Sequence, residues 1–158
     1  MCLVIDICCI ASVFEGRSKQ HSKFIPVLDW INGKGRLIYG GTKYNAELGR
    51  AAKFLPYIAE LSRKRRTVQI PSSQVDPIAA ALKVKVTDAE FNDEHLVALV
   101  IASRCSVVCT NDNSAISYLK RVDLFADYDG VSRPKIFRGH RSHKDLCCDE
   151  HIVGMCRE

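Results

Sequence analysis

At 158 residues and 47% hydrophobic, the chain has enough length for one domain around a single core and too little for two. Its 23 Lys and Arg against 18 Asp and Glu leave a formal charge of +5, which suits a polyanionic partner without requiring one. No apolar run approaches the ~20 residues that span a bilayer, and Met1-Cys2-Leu3-Val4-Ile5-Asp6 lacks the basic region of a signal peptide and meets an acid early. A soluble, cytoplasmic protein with no membrane partner is expected. Of eight cysteines, Cys8, Cys9, Cys105 and Cys109 lie in or beside apolar runs, where a free thiol packs as a small hydrophobe, so a reducing compartment is the simpler expectation.

In chain order, residues 3–7 form a short, continuously apolar run, as in a central strand of a parallel sheet covered on both faces, with Asp6 its one charge. Phe24, Ile25, Leu28 and Ile31 recur at helical spacing before the glycines at 33 and 35. Residues 36–41 read as a second strand with a glycine turn, and Thr42 as the N-cap of a helix that sets Leu48, Ala51, Ala52 and Leu55 on one face. Pro56 predicts a kink or a new helix running to about Arg66. Residues 68–71 are a brief extended piece, and 74–82 a helix with Pro77 near its first turn.

Asn92 or Asp93 opens a helix that is apolar around most of its circumference through Ile101 and must be largely buried. A β-branched strand over 106–110 follows, closed by Asn111-Asp112-Asn113, then a short helix over 115–119 and a last strand over 135–137. Alternating strands and helices predict an α/β fold, with residues 1–138 as the domain and 139–158 as a Cys- and His-rich tail.

Four acids fall at marked places. In an open parallel sheet, ligands bind beyond the carboxyl ends of the strands, where Asp6 and Asp112 lie. If those strands are neighbours, their ~4.8 Å spacing lets both carboxylates share a cation. Glu47, one or two turns into its helix, and Asp93, in the first turn of another, would project over the same rim. Each has a plainer explanation: a helix N-terminus for Asp93, an Asx turn for Asp112, a solvated helix face for Glu47. Asp6 is the hardest to explain away, because a lone acid in a buried strand seldom serves structure.

Asp6 ending the first strand, the stretch 42–48 (Thr-Lys-Tyr-Asn-Ala-Glu-Leu), the stretch 91–99 (Phe-Asn-Asp-Glu-His-Leu-Val-Ala-Leu) and 108–112 (Val-Cys-Thr-Asn-Asp) together resemble the PIN-domain nucleases over roughly residues 1 to 120. The resemblance implies a three-layer α/β/α sandwich with a mainly parallel sheet. It implies a metal-dependent endoribonuclease in which Asp6, Glu47, Asp93 and Asp112 hold Mg²⁺ or Mn²⁺, with Thr110 as a hydroxyl neighbour and products carrying a 5′-phosphate and a 3′-hydroxyl. A homodimer is implied as well, and small members are often toxins held in check by an inhibitory partner protein. RNA processing or defence fits equally. Two positions depart from the pattern: Cys8 stands where a small polar residue is common, and Asn113 where some members carry a further acid.

Two basic stretches are candidate RNA contacts: Arg63, Lys64, Arg65 and Arg66 at a helix end, and the span 131–144, which has five Lys or Arg, two His and no acid and includes Arg133, Lys135, Arg138 and Arg141. The alternative for each is a solvated surface. The tail also holds His140, His143, Cys147, Cys148, His151 and Cys156, whose spacing fits zinc only loosely, and a frayed or partner-bound terminus is expected instead. Two other functions compete: a non-catalytic RNA- or protein-binding module of the same fold, and a phosphoacceptor receiver domain, which would need an acidic pair after the first strand where Asp6 stands between two isoleucines.

Overall fold

The computed structural model describes residues 2–156, the side chains of Arg141 and Ser142 excepted. Five parallel strands form one sheet: β1 (Cys2–Ile5), β2 (Arg36–Gly40), β3 (Thr67–Ile70), β4 (Val107–Cys109) and β5 (Lys135–Phe137), in the order β3-β2-β1-β4-β5. Every residue of β1 and β4 is buried, as the unbroken apolar sequence requires of strands covered on both faces. The fold is therefore α/β, as expected, and the sheet is wholly parallel.

The helices are α1 (Ile7–Phe14), α2 (His21–Gly33), α3 (Thr42–Arg50), α4 (Leu55–Arg63), α5 (Ser72–Lys85), α6 (Glu94–Ser103) and α7 (Asn113–Leu119). The chain builds outward from β1 to β2 and β3, then returns to the far side of β1 with β4 and β5. With right-handed crossovers this reversal sends the connecting helices to opposite faces. It also opens a crevice at the carboxyl ends of β1 and β4, the topological switch point where ligands bind in such sheets.

Several boundaries differ from the sequence expectation, each for a local reason. The first strand stops at Ile5 rather than residue 7, because Asp6 caps α1 by accepting from the Cys8 amide. The apolar run from Ile7 onward has no period that separates strand from helix. Gly41, not Thr42, is the N-cap of α3. Its φ of 78° favours glycine, and the capping carboxylate comes from α5, where Asp76 accepts from the Thr42 amide at 2.9 Å and its hydroxyl at 2.6 Å. Pro56 starts a new helix, α4, which ends at Arg63 as Arg65 turns the chain with a φ of 56°. Helix α5 exceeds the predicted 74–82 at both ends, so Pro77 lies past its first turn.

The described part of the tail, residues 139–156, packs on the domain rather than fraying; Arg157 and Glu158 lie outside the described residues. Residues 141–146, 149–151 and 154–156 form 3₁₀ turns packed on the domain. Cys2 and Cys156 are joined by a disulfide with Cα atoms 6.4 Å apart, and His143 accepts from the Arg138 amide at 2.9 Å. Cys9, Cys105 and Cys109 are free and buried, as expected, whereas Cys8 is free but exposed, and the Cys2–Cys156 disulfide departs from the expectation of a reducing compartment. No helix among the described residues is long and apolar enough to cross a membrane.

Gly40 marks a close backbone approach in the sheet. Its φ is 147°, and a Cβ there would overlap the Ile70 carbonyl of the paired strand. Because backbone on both sides cannot yield, Gly40→Ala should destabilise the protein by about 2 kcal/mol or more, read as a shift of the urea unfolding midpoint. A variant as stable as wild type would show that β2 and β3 do not pair in this register.

Candidate active site

Beyond the last residue of β1, the Asp6 amide donates to the Cys109 carbonyl of β4 at 2.9 Å, so the two strand ends are in register. The next residue on β4's side is Thr110, fully buried, whose hydroxyl donates to Asp6 Oδ2 at 2.6 Å and accepts from the Asp112 amide at 3.1 Å. One hydroxyl thus fixes the Asp6 carboxylate and the turn that carries Asp112. Asp112 in turn accepts from the Ser114 amide at 2.8 Å and caps α7. The strands of Asp6 and Asp112 are indeed neighbours.

Glu47 is placed by Tyr44. The Tyr44 hydroxyl, buried, donates to the Ile5 carbonyl at 2.6 Å, which pins α3 to the end of β1. Glu47, three residues on, lies on the same helix face and its Oε2 stands 3.3 Å from His95 Nε2 of α6. Burial holds the His95 imidazole below its ordinary value against the pull of Glu47, and its Nδ1 has no partner among the described residues.

Asp93 is the N-cap of α6 but makes no side-chain capping bond. Its carboxyl is pushed up from an ordinary 3.8 to about 6, first by burial and then by the charges of Asp112 and Asp6, with a smaller push from Glu47 and an opposing pull from Lys43. The other three acids therefore all act electrostatically on Asp93 across one rim. Three of the four acids are N-caps, so helix N-termini offset part of this repulsion.

Sequence reasoning did not single out the basic and neutral partners on this rim. Lys43 donates to the Asn92 carbonyl and to Glu94 Oε1 at 3.1 Å, and Lys83 stands 3.5 Å from the same oxygen. Burial works to raise the Glu94 carboxyl, but hydrogen bonds from its own backbone and Lys43 and the nearby ammonium charges outweigh it and hold it below the ordinary range. The available signal was a Glu-His pair heading a helix otherwise apolar all round, since both are costly to bury without partners.

The donors are hard carboxylate oxygens, which suit Mg²⁺ or Mn²⁺, and Mg²⁺ is commonly held by only one or two carboxylates plus water and substrate. Asp6 and Asp112, whose strand end and turn share the Thr110 hydroxyl, are donors of that kind. As the side chains lie, no three of His, Cys, Asp and Glu among the described residues stand close enough together to enclose a metal ion. Asp6 is engaged by Thr110, Asp112 by the Ser114 amide and Glu47 by His95.

The two departures from the resemblance have local consequences. Cys8 is exposed, with its Sγ 3.8 Å from the Thr110 hydroxyl, and burial together with Cys9 and Asp6 raises its thiol far above the ordinary value, Cys9 contributing most. Asn113 accepts from Arg138 Nη2 at 3.0 Å.

The basic candidates separate. Arg63, Lys64, Arg65 and Arg66 lie where α4 runs into the amino end of β3, with the Arg66 carbonyl bound by the Leu37 amide, on the rim opposite the acids. Lys64 is paired with Glu60 at 2.6 Å. Arg138, just past the carboxyl end of β5, is on the acidic rim, while Arg133 and Lys135 lie toward the amino end of β5. The side chain of Arg141 lies outside the described residues. Of the tail's metal-ligand candidates, His151 contacts Ser106 at 3.1 Å and Lys135 at 3.4 Å, and Cys156 is in the disulfide.

Because Asp93 is ionised against its surroundings above pH 6, its charge opposes folding there and not well below its ordinary value of 3.8, where it is protonated folded and unfolded alike. Asp93→Asn keeps a good N-cap residue. In metal-free buffer it should stabilise the protein by about 1 kcal/mol at pH 8, after allowance for solvent screening, and by almost nothing at about pH 2.5. Denaturant unfolding at the two pH values checks this, and an equal effect at both would show that Asp93 is not electrostatically loaded.

No protein-family model, curated protein or solved structure matches this chain, and its functional assignment rests on the residues described above.

Proposed function

We propose that the protein is a divalent-metal-dependent endoribonuclease of PIN type, acting through Asp6, Glu47, Asp93 and Asp112. The observation that carries this is the buried Thr110 hydroxyl at the β1–β4 crevice, which donates to the Asp6 carboxylate and accepts from the Asp112 amide, with Asp93 raised to about 6 beside them. A rim that loads a carboxyl so far above its ordinary value is poised for a cation. Asp6 and Asp112 hold Mg²⁺ or Mn²⁺, Thr110 orients Asp6, Asp93 supplies a carboxylate not committed to any protein donor, and Glu47 completes the set from α3. A divalent ion held by these carboxylates would polarise a phosphodiester and make a neighbouring water a competent nucleophile at neutral pH. Lys43, held between α3 and α6, offsets part of the acidic charge when the ion is absent. By the same resemblance the active form is a homodimer in the cytoplasm, and an inhibitory partner protein covers the acidic groove.

A second reading draws on the engaged state of three of the acids: a binding module of the same fold that holds RNA without cutting it. Cleavage separates the two. With an RNA pool and Mn²⁺ or Mg²⁺, the wild-type protein should cut and chelator should stop it. Asp6→Asn should abolish cutting with the near-ultraviolet circular dichroism unchanged, since asparagine caps α1 as well as aspartate does. Thr110→Val should lower the rate by about 10- to 100-fold through loss of the bond that orients Asp6. No cutting under either ion, or wild-type cutting by folded Asp6→Asn, would move the assignment to the binding module.

A further inference from the structure

Cys2, the first residue of β1, is bonded to Cys156 in the last 3₁₀ turn of the tail, while six other cysteines are free thiols. A single bond beside six thiols is the pattern of a redox-responsive pair rather than of a scaffold stapled throughout. The tail it closes has two separately anchored parts. The first, residues 139–146, is fixed without the bond: Gly139, with a φ of 73°, lies against Phe24, and His143 packs on Phe137 and accepts from the Arg138 amide at 2.9 Å. The second, residues 147–156, lies against the amino ends of the strands, where His151 contacts Ser106 at 3.1 Å and Lys135 at 3.4 Å. Asp149 adds a 3.2 Å pair with Lys34, but both side chains are exposed and such pairs contribute little. The covalent bond is therefore the strongest anchor of this second part.

The two sulfurs are not equally reachable. Cys2 is 1% exposed, whereas Cys156, 7% exposed, forms part of the wall of a hollow of about 490 Å³ with Lys34, Arg36, Arg66, Asp149 and Ile152. Three cations against one carboxylate leave this hollow positive. Such a field draws in an anionic thiol, favours its thiolate and stabilises the thiolate that leaves. The chain's own Cys105, beside Cys2, does not compete. It is buried, its Sγ donates to the Cys2 carbonyl at 3.1 Å, and burial pushes the thiol up to about 11, so it packs rather than attacks.

We propose that this hollow is a thiol–disulfide exchange site for a small anionic thiol, and that the Cys2–Cys156 bond is a latch whose opening releases residues 147–156. The thiolate attacks Cys156 Sγ, the S–S bond breaks, and Cys2 leaves as a thiolate that takes a proton from water. A second thiol molecule, as its thiolate, then attacks the incoming sulfur of the mixed disulfide and frees Cys156, which is protonated in turn. The two electrons come from the two small thiols, which end as their own disulfide. The latch lies on the rim opposite the acids, so it stands or falls apart from the nuclease reading. The test is the full native chain in reduced glutathione without denaturant, followed by alkylation mapping and hydrogen exchange on the same samples. Glutathione should free Cys156 for alkylation while Cys9, Cys105 and Cys109 stay unlabelled. Exchange should rise at least about tenfold over residues 147–156 and stay unchanged over 139–146. Cys156→Ser should show the released pattern with or without glutathione. Arg66→Gln should slow opening by glutathione about threefold and leave opening by 2-mercaptoethanol, which carries no carboxylate, unchanged. Absence of the Cys2–Cys156 bond from the untreated protein, opening only in denaturant, exchange that rises equally over 139–146, or equal effects of Arg66→Gln on the two thiols would overturn the proposal.

Discussion

The 2.6 Å hydrogen bond from Thr110 to Asp6 ties together the two halves of the sheet at the point where strand order reverses. A carboxylate at the end of a fully buried strand would be costly if unpartnered, and this hydroxyl together with the N-terminus of α1 answers that cost. The same oxygen accepts from the Asp112 amide, so the Asp6 carboxylate and the turn that carries Asp112 share one anchor beside the β1–β4 seam. Everything else on the rim is arranged around this fixed pair. Tyr44 pins α3 to the Ile5 carbonyl and delivers Glu47; α6 delivers Asp93 at its N-cap.

The site then presents a balance between repulsion and local satisfaction. Asp6, Asp112 and Glu47 each have a protein partner, and the strain of like charge is concentrated on Asp93. Lys43 and the helix N-termini moderate it. A cation entering between Asp6 and Asp112 would reverse the sign of the local field and draw Asp93 toward ionisation, so metal affinity and the state of Asp93 are linked.

The strands were legible because their residues are continuously apolar and short, and β1, β2, β4 and β5 stand within two residues of their predicted ends. Helix α6 was legible for the opposite reason, its length and apolar circumference. Helix α1 was not, since Ile-Cys-Cys-Ile-Ala carries no period and its helical state is decided by the cap that Asp6 provides. The Asp76 carboxylate that caps α3 comes from 34 residues away, beyond any local signal. Of the site, all four acids could be placed on strand ends or helix starts, but Lys43, Glu94 and His95 depend on how α3 meets α6. The basic stretches look alike in sequence and part in space: one ends at the amino rim, while Arg138 carries the other to the acidic rim. The tail's docking through Cys156 and His143 likewise depends on contacts with residues distant in the chain, in the case of Cys156 at the opposite end.

The central claim is that the acids at the β1–β4 crevice form one cation site. Adding substoichiometric Mn²⁺ to the ¹⁵N-labelled protein and following paramagnetic loss of amide signals tests it without substrate or turnover. The account predicts that signals of Asp6, Thr110, Asp112 and Asp93 vanish first and return with chelator. Losses led instead by exposed acids such as Glu60 and Asp127, or no selective loss at all, would contradict it.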